Sequence, residues 1–149
     1  MNKVIASFFG IGYIKGGGTI AAAVTCALIY LLWHSNLPPK PWILPAITLV
    51  ILLTGIYTGN KVEAAWGKDS YRVVIDEVAG MLVTILFIPA NTYLLIAGFI
   101  LFRFFDMVKP LFIRRLEDLP SGTGVMMDDV LAGFYSNLVL QIAILAFKL

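Results

Sequence analysis

Val78–Phe102 reads VAGMLVTILFIPANTYLLIAGFILF, and the threading of this uncharged stretch decides the fold. It is long enough for one membrane span, but Pro89-Ala90-Asn91 interrupts it. Read as one span, it puts Asp76 and Asp106 on opposite faces of a membrane. Read as two arms joined at Pro-Ala-Asn, it returns both to the same face. Charge counting favours the hairpin. With the turn, Lys3, Lys15, Lys61, Lys68, Arg72, Arg103, Lys109, Arg114 and Arg115 fall on one side and Lys40 and Lys148 on the other, nine against two. A single span gives six against five. The positive-inside rule therefore selects the hairpin and makes the charged side cytoplasmic. The arms are short, so a kinked or partial crossing is expected.

The flanks fit an integral membrane protein. The 149 residues suffice for one domain, 60% are hydrophobic and 13% charged, about half the charge of a soluble chain, and mean hydropathy is +0.90. A formal charge of +2 without a basic tract argues against nucleic acid. Thr19–Trp33 and Trp42–Thr58 read as two short antiparallel membrane helices, joined by the breaker-rich turn His34–Pro41. Gly59–Ile75 alternates Lys61, Glu63, Lys68, Asp69 and Arg72 with apolar residues, as an amphipathic surface segment does, with Trp66 at headgroup level. Lys109–Met127 reads as a loop, with Asp128-Asp129 opening the last helix, Val130–Phe147. Met1–Ile14 has one lysine and no small-residue cleavage pattern, so no cleavable signal is expected. Cys26 reads as a small buried hydrophobe and His34 as a turn residue. The fold expected is an all-α membrane bundle of short helices, one domain over 1–149.

Within this chain the acidic residues gather at the ends of apolar runs, as Asp76-Glu77, Asp106 and Asp128-Asp129. Charge next to hydrocarbon costs roughly 2.5–3.5 kcal/mol per residue at a helix centre, so its placement points to use. Asp76-Glu-Val-Ala-Gly80 and Asp129-Val-Leu-Ala-Gly133 both read D-x-x-A-G. On a helix the Ala-Gly pair lies on the same face as its Asp, and small residues let backbones approach, so the two carboxylates are expected to converge. Carboxylates in a first helical turn are also favoured by the helix dipole alone. Arg103, Asp106 and Lys109 follow one helical stripe, which suits mutual neutralisation as well as phosphate binding.

Mg²⁺ takes oxygen ligands, commonly one or two carboxylates with substrate phosphate and water. Asp76, Glu77, Asp106, Asp128 and Asp129 form the candidate ligand pool, one of them free to act as base or nucleophile. Arg103, Lys109 and Lys15 are candidates for phosphate oxygens. Gly16-Gly17-Gly18-Thr19 opens a helix and offers backbone N–H groups to an anion, or serves as a flexible lead-in with Thr19 as N-cap. Gly122-Thr123-Gly124 reads as a loop able to close on the site. Arg114-Arg115 suit lipid headgroups.

Three segments, Asp76-Glu77-Val-Ala-Gly80, Phe102-Arg103-Phe-Phe-Asp106-Met-Val-Lys109-Pro110 and Gly124-Val-Met-Met-Asp128-Asp129-Val-Leu-Ala-Gly133, resemble the phosphatidylglycerophosphatase A family in order and spacing, from about Gly10 to Gln141. The resemblance implies an all-helical, Mg²⁺-dependent lipid phosphatase of the bacterial inner membrane, multi-pass and facing the cytoplasm. Its substrate would be the anionic phospholipid phosphatidylglycerophosphate, its product phosphatidylglycerol. The family's glycine motif reads Pro-Gly-Thr followed by Gly-Ser. Here Gly18 and Thr19 match and the rest does not, which weakens the link between this loop and phosphate. Metal-activated water is the favoured chemistry; neither an Asp-x-Asp-x-Thr nor a Cys-x5-Arg motif is present. The alternatives are a CDP-lipid-type phosphotransferase, against which the adjacent Asp128-Asp129 pair counts, and a non-enzymatic transport or assembly protein whose charges only fix topology.

Overall fold

The computed structural model describes residues 1–35, 40–68, 70–116 and 119–148. Asn36–Pro39 in the first turn, Asp69, and Glu117-Asp118 lie outside the described residues. Among the described residues the chain is helical without a strand: α1 (Asn2–Ala6), a 3-10 turn (Ile11–Tyr13), α2 (Gly17–Trp33), α3 (Ile43–Trp66), α4 (Ile75–Thr84), α5 (Thr92–Val108), α6 (Ile113–Leu116) and α7 (Ser121–Phe147).

Val78–Phe102 is a hairpin. α4 stops at Thr84, and α5 starts after Asn91, whose side chain accepts from Tyr93 N (2.8 Å) and Leu94 N (3.3 Å) and so caps the helix. The first arm is the centre of the molecule. All of α4 except Glu77 and Val83 is buried, and α2, α3, α5 and α7 all pack on it. Met81, Ile85, Val74 and Phe102 fill the core around it. A ten-residue helix ending inside a bundle leaves carbonyls without intrahelical donors. Asn137 of α7 meets them, its Nδ2 donating to Thr84 O (2.9 Å) and Leu86 O (2.8 Å).

α4 and α7 cross at the paired Ala-Gly motifs. A Cβ on Gly133 would lie 3.2 Å from Gly80 Cα and collide with Gly80 O, and one on Gly80 would lie 2.7 Å from Asp129 O. Only glycine allows this approach, and it brings the Asp76 and Asp129 ends of the two helices together.

Three boundaries differ from the sequence reading. α3 runs to Trp66 instead of ending near Thr58, because the buried stripe Gly55, Thr58, Gly59, Val62 keeps its helical period through the charged stretch. The expected surface segment is therefore partly the last turns of α3, where Trp66 packs edge-on against Tyr13. α7 begins at Ser121, two turns before Asp128, so Gly122-Thr123-Gly124 is helix and not a closing loop. Asn60 of α3 makes this possible, its Oδ1 accepting from Gly122 N at 2.7 Å. α2 begins at Gly17, and its N-cap is Gly16 in the left-handed region (φ 77°), not Thr19. His34 does sit at a helix end, its Nδ1 donating to Tyr30 O (2.9 Å) with the rings stacked. The two first long helices meet through α4, which both pack against. α3 and α7 are long and apolar enough to cross a membrane, and only 22% of the most apolar 18-residue window of each is buried.

Candidate active site

At the end of the bundle where α2 begins and α5 ends lies a cavity of about 580 Å³. All ten sequence-predicted site residues line it: Asp76, Glu77, Asp106, Asp128, Asp129, Arg103, Lys109, Lys15, Gly18 and Thr19. α4 supplies Asp76 and Glu77 from its first turn, α5 supplies Arg103 and Asp106 from its last two turns, and α7 supplies Asp128 and Asp129 from its third. The dipole explanation therefore holds for the α4 pair alone. Asp128 and Asp129 lie too deep in α7 to be held by its N-terminus, yet they are only 5% and 3% exposed.

Two of the three cations are already partnered. Lys109 ends α5 in the left-handed region (φ 47°) ahead of Pro110, and its Nζ donates to Asp128 Oδ2 at 2.7 Å. Arg103 Nη1 lies 2.6 Å from Asp106 Oδ2. That ion pair lacks hydrogen-bond geometry, so Arg103 Nε and Nη1 stay without a hydrogen bond among the described residues. The remaining carboxylates have less. Among the described residues Asp76 Oδ1 accepts from the neighbouring Glu77 N (3.1 Å), and Glu77 Oε2 and Asp129 Oδ2 are buried without a hydrogen-bond partner. Burial pushes the Asp76 carboxyl well above the usual carboxylate range, and the charges of Glu77 and Asp129 push it further. Burial also raises Glu77, with Asp106 adding to it.

Asp76, Glu77 and Asp129 each place one oxygen within 4.8 Å of the others'. Two buried carboxylate oxygens without donors, in an all-oxygen set, fit a hard divalent cation such as Mg²⁺. The balance of charge agrees: five carboxylates face three cationic side chains in the cavity, an excess of two that one divalent ion offsets. Gly18 borders this cluster, and a Cβ there would overlap the Glu77 carboxylate. The glycine thus leaves room for the Glu77 carboxylate as it stands, whatever it offers an anion.

Tyr13, Ser70 and Tyr71 also line the cavity and escaped the sequence reading. A lone Tyr or Ser in a connecting segment has no spacing to interpret. Arg114 and Arg115 are not among its lining residues and sit on α6, Arg115 stacked over Phe112.

No solved structure matches the chain. A Bacteroides thetaiotaomicron protein named provisionally as a phosphatidylinositol-3-phosphatase is 40% identical over 145 residues, 94% of this chain and 91% of that protein. The phosphatidylglycerophosphatase A of Haemophilus influenzae is 32% identical over 139 residues, 91% of this chain and 84% of that protein. That of Escherichia coli is 34% identical over 100 residues, 64% of this chain and 58% of that protein. With the model of phosphatidylglycerophosphatase A matching residues 4–144 and all three acidic motifs inside that span, the chain belongs to the phosphatidylglycerophosphatase A family.

Proposed function

We propose that the protein is a Mg²⁺-dependent lipid phosphatase that hydrolyses phosphatidylglycerophosphate to phosphatidylglycerol and phosphate at the cytoplasmic face of a bacterial inner membrane. The observation that carries this reading is the convergence of five carboxylates, Arg103 and Lys109 from three helices in one cavity at one end of an apolar bundle. The membrane part is supported by the outward-facing Leu49, Val50, Leu53, Ile142 and Leu145 on α3 and α7, which a soluble core helix would bury. It makes the bundle multi-pass, with the hairpin returning Asp76 and Asp106 to one side, the side rich in Lys and Arg.

Asp76, Glu77 and Asp129 are the residues that would hold Mg²⁺. Bound there, it would lower the pKa of water and offset phosphoryl charge. Arg103, held at one nitrogen by Asp106, presents its free guanidinium edge as a fork to phosphate oxygens. Lys109 adds a point charge. Asp106 and Asp128, kept beside cations and outside the three-carboxylate cluster, are the candidates for accepting the proton of the attacking water. Together these groups position the phosphate and stabilise charge as it develops, which is most of what phosphoryl transfer needs.

The Bacteroides relative favours a second substrate of the same class, a phosphatidylinositol 3-phosphate. Phosphate release from the two lipids in detergent micelles, with Mg²⁺ or EDTA, separates them. Faster Mg²⁺-dependent release from phosphatidylglycerophosphate is the expected result. Preference for the inositol lipid would reassign the substrate, and release from neither would return the phosphotransferase and non-enzymatic alternatives.

A further inference from the structure

We propose that the groove between α2 and α5 holds an acyl chain of the lipid whose phosphate occupies the carboxylate cavity; this rests on the lipid-phosphatase reading. The groove has a volume of about 270 Å³, and Ala23, Cys26 and Ala27 of α2 face Leu95, Ile96 and Phe99 of α5 across it. Its walls are hydrocarbon, and it is in register with the polar site. Thr19 and Arg103 line the carboxylate cavity. One turn along the same helical faces stand Ala23 and Phe99, so the apolar groove starts about 6 Å along the helix axes from two residues that line the polar cavity. The sequence keeps it open by placing alanine at 23 and 27, while the bulky Leu28 and Leu31 project elsewhere on α2. An amphiphile with a phosphate at one end and hydrocarbon next to it matches this succession.

A second apolar groove, between α2 and α3, is the rival path. It is floored by Val78 and Leu82 of α4. On α2 it begins only at Thr25, six residues beyond Thr19, whereas the α2–α5 groove begins at Ala23, one turn beyond Thr19 and so nearer the carboxylate cavity.

Filling the groove tests this. Ala27→Phe, with Ala23→Leu in reserve should the first not fold, is compared with wild type and with Leu28→Phe in the rival groove. The substrates are the dioleoyl and dihexanoyl forms of phosphatidylglycerophosphate. The expected result is a KM for the dioleoyl lipid raised roughly tenfold by Ala27→Phe, with kcat and the dihexanoyl kinetics little changed and Leu28→Phe without effect. An unchanged dioleoyl KM, equal losses on both lipids, or a loss with Leu28→Phe instead would overturn the assignment. A wild type inactive on both lipids would sink the phosphatase reading itself, and the groove with it.

Discussion

Asn137→Leu removes both side-chain donors from the C-terminal end of α4 while keeping the volume. The mutation leaves Thr84 O and Leu86 O without the 2.9 and 2.8 Å bonds that now satisfy them. At the average of roughly 0.6 kcal/mol measured for interhelical bonds in a membrane protein, the loss is about 1 kcal/mol. At the roughly 1–3 kcal/mol cost of a buried group left unsatisfied, it is about 2–6 kcal/mol. Thr84 is fully buried, so its carbonyl has no water to turn to, and the larger figure applies there. Leu86 is half-buried and can relax. The expected destabilisation is therefore about 2–4 kcal/mol, a fall in Tm of roughly 4–16 °C for a chain of this size. Thermal unfolding in detergent measures it, and phosphate release reports the consequence, because α4 also carries Asp76 and Glu77. A Tm within 1 °C of wild type would refute the idea that Asn137 holds the end of α4.

Gly133→Ala should lower Tm and activity together, by about 1–3 kcal/mol in stability, since its Cβ meets the Gly80 backbone; full stability would show that α4 and α7 are not in close contact. Asp76 and Glu77 are raised by burial, so the metal-free folded chain binds more protons than the unfolded one. Its stability should fall as pH rises above about 4, the ordinary carboxylate value. Bound Mg²⁺ favours the ionised carboxylates, so the Mg²⁺-induced rise in Tm should grow with pH; a rise that shrinks with pH would contradict this. With Cys26 replaced, cysteines at Ser70 and Arg114 should label from the cytoplasmic side and one at Lys40 from the other. Labelling of Ser70 and Arg114 from opposite sides would rule out the hairpin.

Much of this was legible because it depends on spacing. The Pro89-Ala90-Asn91 turn follows from where the lysines and arginines fall, and the D-x-x-A-G echo foretells a crossing at Gly80 and Gly133. Misread elements depend on partners distant in sequence. Gly122 and Gly124 look like loop glycines until Asn60, 62 residues away, is seen capping the helix they begin. Gly59 and Lys61 look like a helix end, yet Val62 keeps the buried face of α3 going. The short arms of the hairpin pointed to a kinked or partial crossing, and α4 does end inside the bundle; what had no mark in the sequence is Asn137, an unremarkable polar residue in an apolar run, which supplies its donors. In the site, charged residues were findable because charge in such a sequence is scarce. Tyr13, Ser70 and Tyr71 had no contrast to mark them.

The most direct measurement is phosphate release from phosphatidylglycerophosphate by wild type and Asp129→Asn, each with Mg²⁺ and with EDTA, on protein shown to be folded by its Tm. Asp129 has an unpartnered buried oxygen and belongs to the three-carboxylate cluster, so the expected result is wild-type release that requires Mg²⁺ and a loss of roughly 100-fold or more in the variant. A folded Asp129→Asn that releases phosphate at the wild-type rate, or wild-type release indifferent to EDTA, would contradict a metal-dependent site built on these carboxylates.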